Sequence, residues 1–184
     1  MSIDMRGVVA VLGAESTGKT TLVASLADAL RAAGHDAVAV AETLREFCDR
    51  EARTPRIDEQ AALAAEHSRR IEAAAERHAL VLADTTALQT AVYSEQVFGD
   101  RSLYEVTLAW HRARVQLTLL TALDLPWQAD GLQRDGAHVR EPVDALLRAA
   151  LTRGGIGFTI VAGVGAARHE AALTALRGEV SARR

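Results

Sequence analysis

Three observations predict an α/β fold, a three-layer α/β/α sandwich around a five-stranded, mainly parallel sheet. Short apolar runs that suit buried strands recur five times, longer stretches with helical apolar spacing alternate with them, and the chain has 184 residues in which to bury one core. That length holds a single domain, residues 1–184, and not two of ordinary size. No internal repeat and no low-complexity linker interrupts the alternation.

The first run, Gly7-Val8-Val9-Ala10-Val11-Leu12, is continuous and β-branched, as expected of a strand buried on both faces. It opens into Gly13-Ala14-Glu15-Ser16-Thr17-Gly18-Lys19-Thr20. A helix over 19–33 follows, with Leu22, Val23, Leu26, Ala29 and Leu30 on one stripe and Gly34 as its stop. Residues 37–41 form a second strand that ends on Glu42, ahead of Thr43-Leu44-Arg45-Glu46-Phe47. A charged cluster at the carboxyl end of a strand is where open parallel sheets bind ligands. Residues 52–57 read as a loop, and Asp58 as the N-cap of a long, alanine-rich, partly exposed helix over 59–78.

The third strand, Leu80-Val81-Leu82-Ala83-Asp84, finishes on a carboxylate in a Walker-B-like manner. Helices over 87–98 and 102–114 are divided by Gly99-Asp100, and Tyr93, Phe98, Tyr104 and Trp110 recur at spacings that suit the core. A fourth strand over 115–123 exits through Asp124-Leu125-Pro126-Trp127. The segment 131–155 carries Arg134, Arg140, Arg148 and Arg153, with Pro142 as the first residue of a helix that stops at Gly154-Gly155, and is expected to be a mobile, arginine-bearing lid. A fifth strand over 158–162 and a helix introduced by Gly163 and Gly165 complete the alternation.

The stretch Gly13–Thr20 has the spacing of a phosphate-binding P-loop. Gly13 and Gly18 let the backbone curl so that successive N–H groups face an anion, Lys19 reaches the β and γ phosphates, and the Thr20 hydroxyl ligates Mg²⁺. Glu15, Ser16, Thr17 and Thr21 belong to the same nucleotide-binding set. Lys19 is the only lysine in the chain, all other basic side chains that carry a fixed charge being arginine. It stands where a compact, flexible ammonium is wanted. ATP and Mg²⁺ are the expected cofactors.

Bulk properties exclude other partners. A net charge of −3 and a pI near 6.1 argue against a nucleic-acid surface, since a phosphate-tracking face makes a domain basic. The lone Cys48 rules out an intrachain disulfide, and no apolar run approaches the length of a membrane span. The expectation is a soluble cytoplasmic protein with a small-molecule substrate and neither nucleic-acid nor membrane partners; its oligomeric state is left open.

Absences narrow the P-loop chemistry. An Asn-Lys-x-Asp guanine motif needs a second lysine, and ATP-hydrolysing motors commonly follow the Walker-B aspartate with glutamate, whereas Asp84 is followed by Thr85 and Thr86. A small-molecule kinase needs a carboxylate near an acceptor hydroxyl, Mg²⁺ on the phosphates, and arginines that close over the transferring group. Glu42 is assigned as general base and Asp84 to Mg²⁺ or its water shell, roles that are open to exchange. One of Arg134 and Arg140 is expected to face the phosphates. The fold class is accordingly a P-loop NTPase of the nucleoside or nucleotide kinase kind.

The sequence also resembles a known family, the ribosylnicotinamide kinase domain of NadR-type proteins and their stand-alone ATPase relatives, over almost its whole length. The resemblance rests on Gly-x-Glu-Ser-x-Gly-Lys-Thr at Gly13–Thr20, on Glu42-x-x-Arg45-Glu46, and on Asp84-Thr85 with Thr90. Further matches are Phe98-Gly99, the phrase Asp124-Leu125-Pro126-Trp127-x-x-Asp130-Gly131 followed by Arg134, and Gly163 with Arg168. It implies transfer of the ATP γ-phosphate to the 5′-hydroxyl of nicotinamide riboside, giving nicotinamide mononucleotide. Arg168 would then help bind nucleotide, and Glu42, Arg45, Asp124, Trp127 and Asp130 would bind the nucleoside. The substrate's pyridinium cation suits an indole face such as Trp127 and a carboxylate such as Asp124 or Asp130.

The family commonly has Asp-Thr-Asp where this chain has Asp84-Thr85-Thr86, so one carboxylate is missing. The adenylyltransferase motif of multi-domain members is also missing, since the pair Gly34-His35 follows Ala32-Ala33. The chain is therefore expected neither to make NAD from the mononucleotide nor to bind operators. Two other readings stand beside the first: a regulatory nucleotide-binding ATPase that has lost the acceptor site, and a kinase for another small hydroxylated metabolite.

Overall fold

Side-chain alternation along the strands decides which helix covers which face of the sheet. The computed structural model describes residues 6–128 and 137–182. Strands β1 (Gly7–Leu12), β2 (Ala37–Val40), β3 (Leu80–Asp84), β4 (Val115–Thr121) and β5 (Thr159–Val161) pair in the order β2-β3-β1-β4-β5, every pairing parallel. Val9 and Val11 of β1, Leu80 and Leu82 of β3, and Leu117 and Leu119 of β4 turn to one face. There they meet Leu22, Leu26 and Leu30 of α1 (Lys19–Ala32) and Leu173 and Leu176 of α7 (Ala166–Ala182).

The alternate residues face the other layer. Val8, Val81 and Ala83 pack on Ile71 and Ala74 of α3 (Gln60–Ala75). Leu12 and Leu120 meet Leu88 and Val92 of α4 (Ala87–Phe98), Tyr104 and Leu108 of α5 (Tyr104–Arg114), and Val143, Leu147 and Leu151 of α6 (Arg140–Arg153). A shorter helix, α2 (Thr43–Glu51), leads out of β2 and packs on α3. The result is the expected α/β/α sandwich.

Because all five strands run the same way, their carboxyl ends share one edge of the sheet. β1 is central, so its exit loop is flanked by Asp84 on β3 and Thr121 on β4. Gly13 is obligatory there, since a Cβ at that position would lie 2.0 Å from Thr121 Oγ1.

Several expected details differ. Asp58 does not cap α3: a 3₁₀ turn, Ile57–Glu59, precedes the helix. The Glu59 carboxylate closes that turn by accepting from the Arg56 N–H at 2.8 Å and pairing with Arg53 at 2.7 Å. Pro142 is the third residue of α6, not its first. Helix α6 is also not a lid. Val143, Leu147, Ala150 and Leu151 are all fully buried in the core, Arg148 pairs with Asp144, and Arg153 lies over the Tyr104 ring. The remainder of the expected lid, with Asp130 and Arg134, lies outside the described residues.

Candidate active site

Hydrogen bonds from distant elements hold the loop between β1 and α1 open. Gly18 has φ +75°, a left-handed turn that glycine adopts without strain, and α1 begins directly after it. Gln89 of α4 donates to the Gly13 carbonyl at 3.0 Å, Thr17 Oγ1 donates to Ala14 O at 2.8 Å, and the Thr121 hydroxyl sits 2.7 Å from Thr17 Oγ1. The buried Arg168 guanidinium donates to the carbonyls of Thr17 and Gly163 and pairs with Asp124, which also accepts from the Gly163 N–H at 2.6 Å. A trans peptide points its C=O and N–H in opposite directions, so tying Thr17 O to Arg168 turns the Gly18 N–H away from it. Lys19 Nζ donates to Ala14 O at 2.8 Å.

The loop forms one wall of a cavity of about 340 Å³. Residues Glu15 to Thr21 line it on one side, and Glu42, Leu44, Arg45, Gln89 and Tyr93 on the other. Thr20 Oγ1 donates to Asp84 Oδ2 at 2.6 Å, while Asp84 Oδ1 is buried with no protein partner. A hydroxyl beside a buried carboxylate oxygen that lacks a protein donor fits a hard cation or its water. Among the described residues no cluster of three or more His, Cys, Asp or Glu forms a metal cage.

Glu42 lies at the start of α2, where burial pushes its carboxyl up to about 6 and the nearby Asp84 charge acts in the same direction. Lys19, Arg45 and a hydrogen bond with Thr85 oppose the rise. A carboxylate held near 6 is basic enough to take a proton from a hydroxyl and still largely ionised at pH 7.

Glu42, Leu44, Gln89 and Tyr93 also line a second cavity, of about 380 Å³, so the two open on one another. Its remaining walls are Cys48 of α2, Thr54 to Ile57 and Gln60 ahead of and within α3, and Thr90, Val97 and Phe98 of α4. Among the described residues Glu42 is its only carboxylate.

Nine expected residues therefore meet in one place: Glu15, Ser16, Thr17, Gly18, Lys19, Thr20, Thr21, Glu42 and Arg45. Asp84 joins them through Thr20, and Gly13 lies beneath. Others do not. Asp124 and Arg168 engage each other behind the loop and line neither cavity, because a buried guanidinium is satisfied by its carboxylate partner. Arg140 donates to the Leu125 carbonyl at 2.8 Å and does not reach the cavity. Trp127 is partly buried and lines neither cavity; its neighbour Gln128 is bonded to Ser16.

Thr86 faces neither cavity: it is fully buried with its hydroxyl 3.1 Å from His111 Nδ1. Phe98, expected in the core, is instead a cavity wall, and Tyr93 packs against the core and lines both cavities. Their sequence signal was the same as that of the truly buried Tyr104, so periodicity alone had no means of separating them.

The model of a family described as an AAA domain matches residues 8–168 of the chain. No curated protein matches it. Among solved structures it is similar to NadR protein in complex with NR, with a TM-score of 0.79 and 21% identity over 97% of this chain and 53% of that one. It is likewise similar to NadR protein in complex with NAD and AMP-PNP, with a TM-score of 0.76 and 20% identity over 97% and 51%. A third neighbour is deoxyadenosine kinase from M. mycoides with bound dATP, with a TM-score of 0.62 and 13% identity over 91% and 97%. The chain spans about half the length of the NadR chains, and these likenesses show the fold that it shares with P-loop kinases.

Proposed function

The chain belongs to the AAA domain family of P-loop proteins, and from that premise we propose that it is an ATP-dependent kinase that phosphorylates the 5′-hydroxyl of a nucleoside, with nicotinamide riboside as the acceptor. One observation carries the reading: Glu42 lines both cavities and, among the described residues, is the only carboxylate of the second. A donor triphosphate in the first cavity and a nucleoside in the second would meet at that side chain.

The phosphoryl transfer is mostly positional. The loop N–H groups and the Lys19 ammonium bind the triphosphate's β and γ oxygens and offset the charge that builds up there. As the acceptor oxygen bonds to the γ-phosphorus and the bond to the β-phosphate oxygen breaks, Glu42 takes the hydroxyl proton and ADP leaves. Thr20 and Asp84 would hold Mg²⁺, which when bound supplies positive charge to the phosphates. The wall of α2 and α4 keeps water from competing with the acceptor.

The choice of nicotinamide riboside draws on the sequence resemblance and on the NadR neighbour in complex with NR. A second reading, a neutral nucleoside, is favoured by the mainly apolar lining that the described residues give the second cavity, with Glu42 at the reacting end as the carboxylate among them. The aromatic rings of Tyr93 and Phe98 suit a flat base of either charge. The regulatory reading loses its motive, because position 86 points at His111 and away from both cavities.

Calorimetric titration of the protein, loaded with a non-hydrolysable ATP analogue, against a panel of charged and neutral nucleosides tests this. The proposal expects saturable binding of nicotinamide riboside that Phe98→Ala weakens. Binding of the analogue with no nucleoside response anywhere in the panel would reject the kinase reading.

A further inference from the structure

Gly13 is the first residue after β1 and lies beyond its paired register. The pairing ends at Val11 on the β3 side and at Leu12 on the β4 side, where the Thr121 hydroxyl donates to Leu12 O at 3.1 Å. Gly13 is nevertheless buried, so its N–H and C=O both need partners inside the protein. The carboxamide of Gln89 supplies the two together. Its Nε2 donates to Gly13 O at 3.0 Å and its Oε1 accepts from the Gly13 N–H at 3.4 Å, the exchange that a residue of an antiparallel strand would make.

Gln89 is 3% exposed and is the third residue of α4, with its own N–H donated to Thr86 O at 2.9 Å. It lines both cavities. Further along α4, Thr90, Val97 and Phe98 line the second cavity and Tyr93 lines both. Leu12 and Ala14 also pack with Leu88, Ala91 and Val92, but apolar contact is non-directional and does not set a register. Two hydrogen bonds from one amide to one backbone residue do. Thr17, Thr121 and Arg168 shape the loop from within and from the β4 and α7 side, whereas Gln89 ties it to the wall that carries Tyr93 and Phe98.

We propose that Gln89 is a positioning residue that locks the phosphate loop to α4, so that the two cavities keep one spacing while the phosphoryl group passes between them. The inference rests on the kinase reading given above for what that spacing achieves, but the lock is measurable with nucleotide alone. Gln89→Met keeps a side chain of comparable length and loses both hydrogen bonds. Its kcat for nucleoside phosphorylation is expected to fall about tenfold to a hundredfold, because a misplaced reacting pair loses alignment. The KM values for ATP and for the acceptor should each stay within about threefold of native, since the linings of the loop and of the second cavity are otherwise intact. A kcat equal to native, or a loss confined to either KM, would overturn the proposal.

Amide hydrogen exchange supplies the acceptor-free arm. When a non-hydrolysable ATP analogue saturates the native protein, the slowing of exchange should extend from the loop to the backbone of Thr90–Phe98, about fivefold or more. In Gln89→Met it should stop at the loop, and the Gly13 amide should exchange about tenfold faster relative to those of β1. Gln89→Glu, whose ionised carboxyl offers Gly13 O no donor, should lose the extension as well and carries the comparison should Gln89→Met not fold. An extension missing from the native protein, or undiminished in the variants, would overturn the proposal whether or not any nucleoside is phosphorylated. A native protein inactive on every nucleoside, with the extension present and abolished by the variants, would instead reject the kinase reading and leave the lock standing.

Discussion

The two cavities are built in opposite ways. The side proposed for the donor is a contiguous loop, Gly13–Thr20, whose walls are largely backbone and whose outside partners, Gln89, Thr121 and Arg168, act by fixing carbonyls and hydroxyls. The side proposed for the acceptor takes side chains from three separated segments, α2, the 3₁₀ turn with the start of α3, and α4, and its lining is mainly apolar. A backbone cradle recognises what all triphosphates share, whereas a wall of side chains recognises one acceptor. The first half is therefore set by backbone geometry, and the second is free to be retuned by single substitutions. Glu42, Leu44, Gln89 and Tyr93 belong to both and couple them.

Substitutions that act on one side only should break this comparison most sharply. The largest effect is expected at Lys19. Lys19→Ala should lower turnover about a thousandfold or more, because the loop's only side-chain cation toward the phosphates is lost, while the melting temperature changes little. An ADP-release assay with a thermal melt checks both. A loss confined to acceptor KM would contradict the division.

The next effect tests the frame behind the shared wall. His111 is 1% exposed between Thr86 Oγ1 and Thr118 Oγ1, at 3.1 and 2.8 Å, and burial pushes its imidazole down to about 4 from 6.5. The folded state disfavours the charged form, so this group's contribution is complete above 6.5 and is lost as pH falls toward 4. The loss should reach about 3 kcal/mol, read from urea unfolding at pH 7 and pH 4, and His111→Gln should flatten the profile. A native curve no steeper than that of the variant would show that His111 is not held neutral.

On the acceptor side, Phe98→Ala and Tyr93→Ala should raise acceptor KM about tenfold to fiftyfold, through loss of stacking area, with ATP KM steady for Phe98→Ala. Trp127→Ala should change acceptor KM by less than about twofold, since that ring lines neither cavity. A larger Trp127 effect, with none at Phe98, would move the acceptor to the other side of the loop.

The smallest effect on stability concerns Glu42 itself. With a carboxyl raised to about 6 from 4.5, its stabilising contribution is present below 4.5 and lost as pH rises through 6. Glu42→Gln should therefore unfold at slightly higher urea than the native chain at pH 8, by about 1 kcal/mol, while removing activity. The native kcat should decline as pH drops below about 6, where the base is protonated.

How much of this was legible follows from the same division. The loop, its strand and helix, and the strand-end carboxylates Glu42 and Asp84 are local in sequence, and β1, β3 and α4 have the bounds read from periodicity. Residues that reach the site through tertiary packing were not legible. Phe98 and Tyr104 follow the same apolar rhythm, yet the first is 39% exposed at a cavity rim and the second is 6% exposed in the core. Arg140 was expected at the phosphates from its place in an arginine-bearing segment, and Arg168 and Asp124 were expected as nucleotide and substrate ligands from the family resemblance. Their partners, Leu125 O, Thr17 O and each other, are fixed only once β4 and α7 are packed.

The central claim is that the γ-phosphate passes from the loop to a nucleoside hydroxyl beside Glu42. The most direct measurement incubates the protein with γ-labelled ATP, Mg²⁺ and nicotinamide riboside and follows the label. The account predicts label in a nucleoside 5′-monophosphate, formed by the native chain and lost in Lys19→Ala and Glu42→Gln. Label released only as inorganic phosphate, at a rate indifferent to the nucleoside, would contradict it.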